Sequence, residues 1–175
     1  MAEILPEKWM KGVAITTTIL AVLTAIASSR ASYCVAQAQL LTALEGSKWA
    51  YYQAKSIKQG LAESQLKAFE ADILGPTSPE QRALLQNNID DYQKNITRYN
   101  DEKESIKKEA EKTGKDNLIN GRKGSQFSLA VVFFQIGIML SSVSALLKRR
   151  EMWIIGLIFG GIACILLANA VFLFF

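Results

Sequence analysis

Three stretches of the chain are almost purely apolar, residues 12–28, 127–147 and 152–175, and no ionisable residue interrupts any of them. Apolar runs of about 17–25 residues are long enough to cross a bilayer as helices. Between the first and second lies a polar, charged stretch with a different pattern. One stripe runs Ala36, Leu40, Ala43, Ser47, Ala50, Ala54, Ile57, Leu61, Ser64, Ala68, Ala71. A second runs Leu85, Ile89, Tyr92, Ile96, Tyr99, Lys103, Ile106, Ala110, Thr113. Both step by alternating fours and threes, the spacing that keeps one face of a helix turned toward a partner. The pattern predicts an all-α membrane protein, with three transmembrane helices and a long antiparallel coiled-coil hairpin between the first and second.

The two stripes mirror each other about residues 75–78. They pair Ala68 with Leu85, Leu61 with Tyr92, Ala54 with Tyr99 and Ala43 with Ala110, so small side chains meet large ones and the helices can interdigitate. The turn chemistry at the centre agrees. Gly75 suits the left-handed position that ends a helix, and Pro76 stops the helix from resuming. Ser78 then caps the next helix, with Pro79 at its first position and Gln81 placed to close a capping box.

The expected organisation follows. Residues 1–29 hold an N-terminal segment and the first span, and residues 30–123 form the hairpin. The second span is 124–147, a short basic loop is 148–151, and the third span is 152–175. Pro6 and Glu7 suit a first helical turn, and Trp9 suits a membrane interface. No Gly or Pro follows the first span until Gly46, so span and first arm read as one helix of about 95 Å. Arms of about 45 residues each would stand roughly 65 Å off the bilayer. Thr113 and Gly114 predict a kink or loosened turn, because Gly costs about 1 kcal/mol in a helix interior. Lys8 and Lys11 before an apolar run resemble a secretory leader, but a retained signal anchor is the better reading.

Charge refines this picture without changing it. The net charge is +4, and residues 30–123 carry 15 Lys/Arg against 13 Asp/Glu, a balanced solvated surface that argues against nucleic acid. Lys148, Arg149 and Arg150 form a short basic loop that belongs in the cytoplasm, as do Lys8 and Lys11; Arg30, Arg122 and Lys123 oppose them. The hairpin is then expected outside, in the periplasm of a Gram-negative cell. Cys34 and Cys164 sit on different segments and do not suggest a disulfide.

The search for chemistry is brief. The chain has no histidine, and no phosphate-cradling loop, CxxC or nucleophile elbow is present. Asp90-Asp91 and Asp101-Glu102 read as a solvated helix face beside lysines and arginines. No enzyme activity, cofactor or metal is expected. Gly156, Gly160 and Gly161 suit close helix packing in lipid. Thr16, Thr17, Thr18, Gln135 and Asn169 are the residues that would line a pore between copies. Trp49, Tyr51 and Tyr52 are the candidate protein–protein contact, because Trp49 and Tyr52 flank the first stripe and a lone hairpin would leave them uncovered.

The segment Trp49-Ala50-Tyr51-Tyr52-Gln53-Ala54-Lys55-Ser56-Ile57-Lys58-Gln59, the opening Pro6-Glu7-Lys8-Trp9 and the terminal pair of spans resemble a bacterial membrane-protein family catalogued only as a domain of unknown function. The resemblance implies an inner-membrane location and the same three-span layout, and no activity. The expected role is a homo-oligomeric structural or scaffolding protein of the bacterial inner membrane, partnered by the bilayer and by further copies of itself. Alternatives are an oligomeric pore, or an accessory subunit joined to another membrane or envelope protein.

Overall fold

In the computed structural model the described residues are 8–172. They form three α-helices and, among them, no strand: α1 (Lys8–Ile73), α2 (Pro79–Leu147) and α3 (Arg150–Phe172). The expected first turn at Pro6 and Glu7, and residues 173–175 of the third apolar stretch, lie outside the described residues. The contacts divide the chain into two compact units. One holds Met1–Gln39 with Asn117–Phe175, and the other holds Leu40–Asp116.

The unit Leu40–Asp116 is a pair of helical segments running in opposite directions. The second stripe faces the pair as expected: Ile89, Ala110 and Thr113 are buried, and its other members are half-buried. The first stripe does not. All eleven of its positions, from Ala36 to Ala71, are exposed. The contact face of α1 runs instead through Leu41, Glu45, Lys48, Tyr52, Lys55, Gln59, Ala62, Leu66, Phe69 and Ile73, none of them exposed. This heptad lies about 140° round the helix, at roughly 100° per residue.

The register corrects accordingly. Phe69 packs on Tyr92 with ring centroids 5.5 Å apart, Lys55 rather than Ala54 meets Tyr99, and Lys48 reaches Glu109 and Thr113. The physical reason is area. A stripe of Ala and Ser has little apolar surface to bury, whereas Leu, Tyr and Phe with the methylene stems of Lys cover far more.

Two local expectations also change. Among the described residues no glycine has a positive φ, so Gly75 does not take a left-handed cap. The last turn of α1 tightens instead, with Leu74 N–H donating to Ala71 O at 3.3 Å and Gly75 N–H to Asp72 O at 3.1 Å. Such i→i+3 bonds satisfy terminal carbonyls without a glycine conformation. On the far side the capping box is present. Gln81 N–H donates to Ser78 Oγ at 3.3 Å, and Ser78 N–H to Gln81 Oε1 at 3.2 Å.

No break occurs near Gly114, and α2 is continuous there. Thr113 Oγ1 donates back to Glu109 O at 2.8 Å and accepts from Lys48 Nζ at 3.0 Å. A Cβ at Gly114 would come within 2.8 Å of Glu45 Oε1. The glycine therefore leaves room for the Glu45 carboxylate of the opposing segment.

The other unit is a three-helix bundle. Its core joins Leu20 and Ala27 of α1, Ala130 and Phe134 of α2, and Ala163 of α3. A smaller cluster joins Ala31, Cys34, Phe127 and Ala170. The link from α2 to α3 closes with Lys148 at φ 53° and Arg149 N–H donating to Ser144 O at 3.1 Å. That bond and the left-handed residue make a Schellman-type C-cap.

Candidate functional site

The bundle is apolar on its outside as well as in its core. Ile15, Ile19, Val22 and Ile26 on α1, Leu129, Val132 and Met139 on α2, and Ile158 and Ile165 on α3 are exposed. Its buried polar residues are Ser141, Ser144 and Asn169. Ser144 Oγ donates to Ser141 O at 2.8 Å, which satisfies it within its own helix.

Small residues set the closest approach. A Cβ on Gly156 would lie 3.0 Å from Gly137 O and 3.0 Å from Ser141 Oγ, and one on Gly160 would lie 2.9 Å from Leu20 Cδ2. Gly156 therefore brings α3 against α2, and Gly160 receives a leucine of α1. Gly161 has open space around it. Of the three predicted packing glycines, two face neighbours and the third points away.

The predicted polar positions of the spans divide in the same way. Thr16 Oγ1 donates to Gly12 O at 2.9 Å, Thr17 Oγ1 to Val13 O at 2.8 Å and Thr18 Oγ1 to Ala14 O at 2.9 Å. Thr16 also accepts from Trp153 Nε1 at 3.1 Å, a tie between α1 and α3 that the spacing alone did not reveal. Asn169 is buried, whereas Gln135 is exposed among apolar neighbours.

In the helical pair the polar centre is Lys55. Its Nζ lies 2.5 Å from Glu102 Oε2 and 5.4 Å from the ring centroids of both Tyr51 and Tyr99. The hydrogen bond to Glu102 holds the Lys55 ammonium above its usual range, and the same bond holds the Glu102 carboxyl below its own. Arg98 sits 5.3 Å over the Tyr99 ring and 3.8 Å from Glu102. Lys103 Nζ donates to Gln59 Oε1 at 3.1 Å and lies 5.2 Å from the Tyr52 ring.

The aromatic cluster is placed differently from its sequence reading. Tyr52 does not flank the contact face but belongs to it, and Trp49 meets it edge-on at 5.6 Å. Tyr51 remains exposed. The acidic doublets are dispersed: Asp90 accepts from Gln86 Nε2 at 3.0 Å, Asp91 lies 3.8 Å from Lys94, and Glu102 belongs to Lys55. The Lys55 cluster escapes the sequence reading because that reading follows the small-residue stripe through Ala50 and Ala54. The signal that marks the other face is the heptad phase of Lys48 and Lys55 with Tyr52, Leu66 and Phe69.

The fold thus defines an all-helical protein with three helices long and apolar enough to cross a membrane. The chain belongs to the family described as a domain of unknown function, DUF4337, which matches residues 9–173. No curated protein and no solved structure matches it.

Proposed function

We propose that this chain is a non-enzymatic, self-assembling scaffold of the bacterial inner membrane, anchored by three spans and carrying a coiled helical hairpin outside the bilayer. The observation that carries the reading is the bare stripe on α1. Eleven positions in unbroken heptad phase, including Leu40, Ile57 and Leu61, are exposed while a different heptad of the same helix serves the contact within the chain. A helix patterned on two faces and covered on one has a face suited to a further helix. Because every copy carries it, a second copy of the chain is the economical partner. The outward apolar side chains of the bundle support the membrane anchor, since lipid covers them at no cost.

Native mass measurement in mild detergent tests the assembly. The wild-type chain is expected as an oligomer, and the double variant Ile57→Glu, Leu61→Glu as a monomer with unchanged helix content. A wild-type monomer in lipid discs would refute self-assembly, and a stoichiometric second protein in its place would favour the accessory-subunit alternative. The pore alternative has Gln135 in its favour, an exposed amide on a helix face shared with Ser128, Val132, Met139 and Ser142 that would turn toward a polar lumen or toward a neighbouring copy. Conductance that vanishes in Gln135→Leu would favour the lumen.

A further inference from the structure

A cleft of about 500 Å³ opens in the three-helix bundle between α1, α2 and α3, within the size range of small-molecule sites. Its lining is graded along the helix axes. Ile26 of α1, Phe127 of α2 and Leu167 of α3 form one end. Arg30 and Tyr33 of α1 and Lys123 and Asn120 of α2 form the other, with Ala170 and Val171 of α3 beside them. Arg30 and Lys123 each lie about one turn, roughly 6 Å, beyond the apolar residue of their own helix, and Tyr33 about two turns. Because α1 and α2 run in opposite directions, Arg30 follows Ile26 while Lys123 precedes Phe127, and the gradient is the same on both. Two cations thus converge at one end of an apolar slot whose lining contains no carboxylate. Among the described residues neither Arg30 nor Lys123 forms an ion pair.

We propose that this cleft binds an anionic phospholipid, with an acyl chain along Ile26, Phe127 and Leu167 and the phosphate between Arg30 and Lys123. The proposal rests on the membrane reading above. Charge complementarity selects an anionic head, because a zwitterionic one brings a cation that no acid in the lining meets. The apolar end selects a lipid over a free phosphate, which has nothing to place there. Tyr33 presents a ring with a polar tip at the level of the cations, the place an interfacial aromatic takes beside a headgroup.

The test compares lipids retained by the full chain in native mass spectra from mild detergent. Dioleoylphosphatidylglycerol is expected to stay bound where dioleoylphosphatidylcholine does not. In Arg30→Gln, Lys123→Gln retention of phosphatidylglycerol should fall roughly twenty-five-fold, about fivefold for each charge removed. Lys148→Gln, Arg149→Gln removes the same charge from the other end of the bundle and should leave retention unchanged. Equal retention of the two lipids, or equal loss in the two double variants, would overturn the site. Displacement of phosphatidylglycerol by equimolar glycerol 3-phosphate would overturn the lipid in favour of a soluble phosphate. Carbonate extraction separates the two levels of failure. A chain released from membranes refutes the membrane anchor and the lipid site together. One that stays and shows no lipid preference refutes the site alone.

Discussion

Lys55 and Glu102 tie the two segments of the helical pair by a contact whose strength follows pH on both sides. The carboxyl of Glu102 lies below its ordinary value near 4.5, so the stabilisation it brings is present above that value and is lost as pH falls through the lower folded one. The ammonium of Lys55 lies above its ordinary value near 10.5, so its share is complete below that value and is lost as pH rises through the higher folded one. The pair's contribution to thermal melts followed by circular dichroism should therefore be constant between about pH 4.5 and 10.5 and fall outside, and Glu102→Gln should reduce the acidic decline. Glycine positions give a second contrast. Gly156→Ala forces a methyl against Gly137 O, which is backbone and cannot turn aside, and overpacking of this kind costs about 1–3 kcal/mol. Gly161→Ala meets open space and should stay within about 0.5 kcal/mol of wild type, as read by the thermal midpoint of fluorescence in a Trp9→Phe, Trp49→Phe background that keeps Trp153.

At the scale of elements, the capping box that starts α2 predicts that Ser78→Ala lowers the stability of the helical pair by about 1 kcal/mol, measured as a fall in midpoint that Ser78→Asp largely restores. This start was legible in the sequence because capping depends on a few side chains close in the chain. The second stripe was legible too, since Ile89, Tyr92, Ile96 and Ile106 are large and in phase. The partner face on α1 was not. Its members include Lys48, Lys55 and Gln59, and their place is decided by what stands opposite, Glu109, Glu102 and Lys103. Periodicity identifies a stripe without saying which of two stripes a neighbour covers. Gly75 failed for a related reason, because an i→i+3 turn met the same terminal carbonyls that a left-handed residue would have met.

Across the whole chain, the apolar segments were legible from length alone, and the three helices carry them. The contacts inside the bundle were only partly so. Gly156 and Gly160 stood out by spacing, but the tie from Trp153 to Thr16 joins residues 137 positions apart, and no local pattern encodes such a pair. If the exposed stripe on α1 joins copies, dilution with excess lipid should dissociate the assembly while leaving helix content and the midpoint of the pair unchanged.

The two heptads of α1 also set an order of events. The stripe that closes the chain on itself holds the aromatic rings and the long side chains, so it carries the stronger local drive. The stripe left outside is smoother and poorer in apolar area. Closure of the pair is first-order in the chain, and if the outer stripe joins copies, assembly is a separate, concentration-dependent step. Under that condition protomers would exchange between assemblies without unfolding, at a rate set by their concentration.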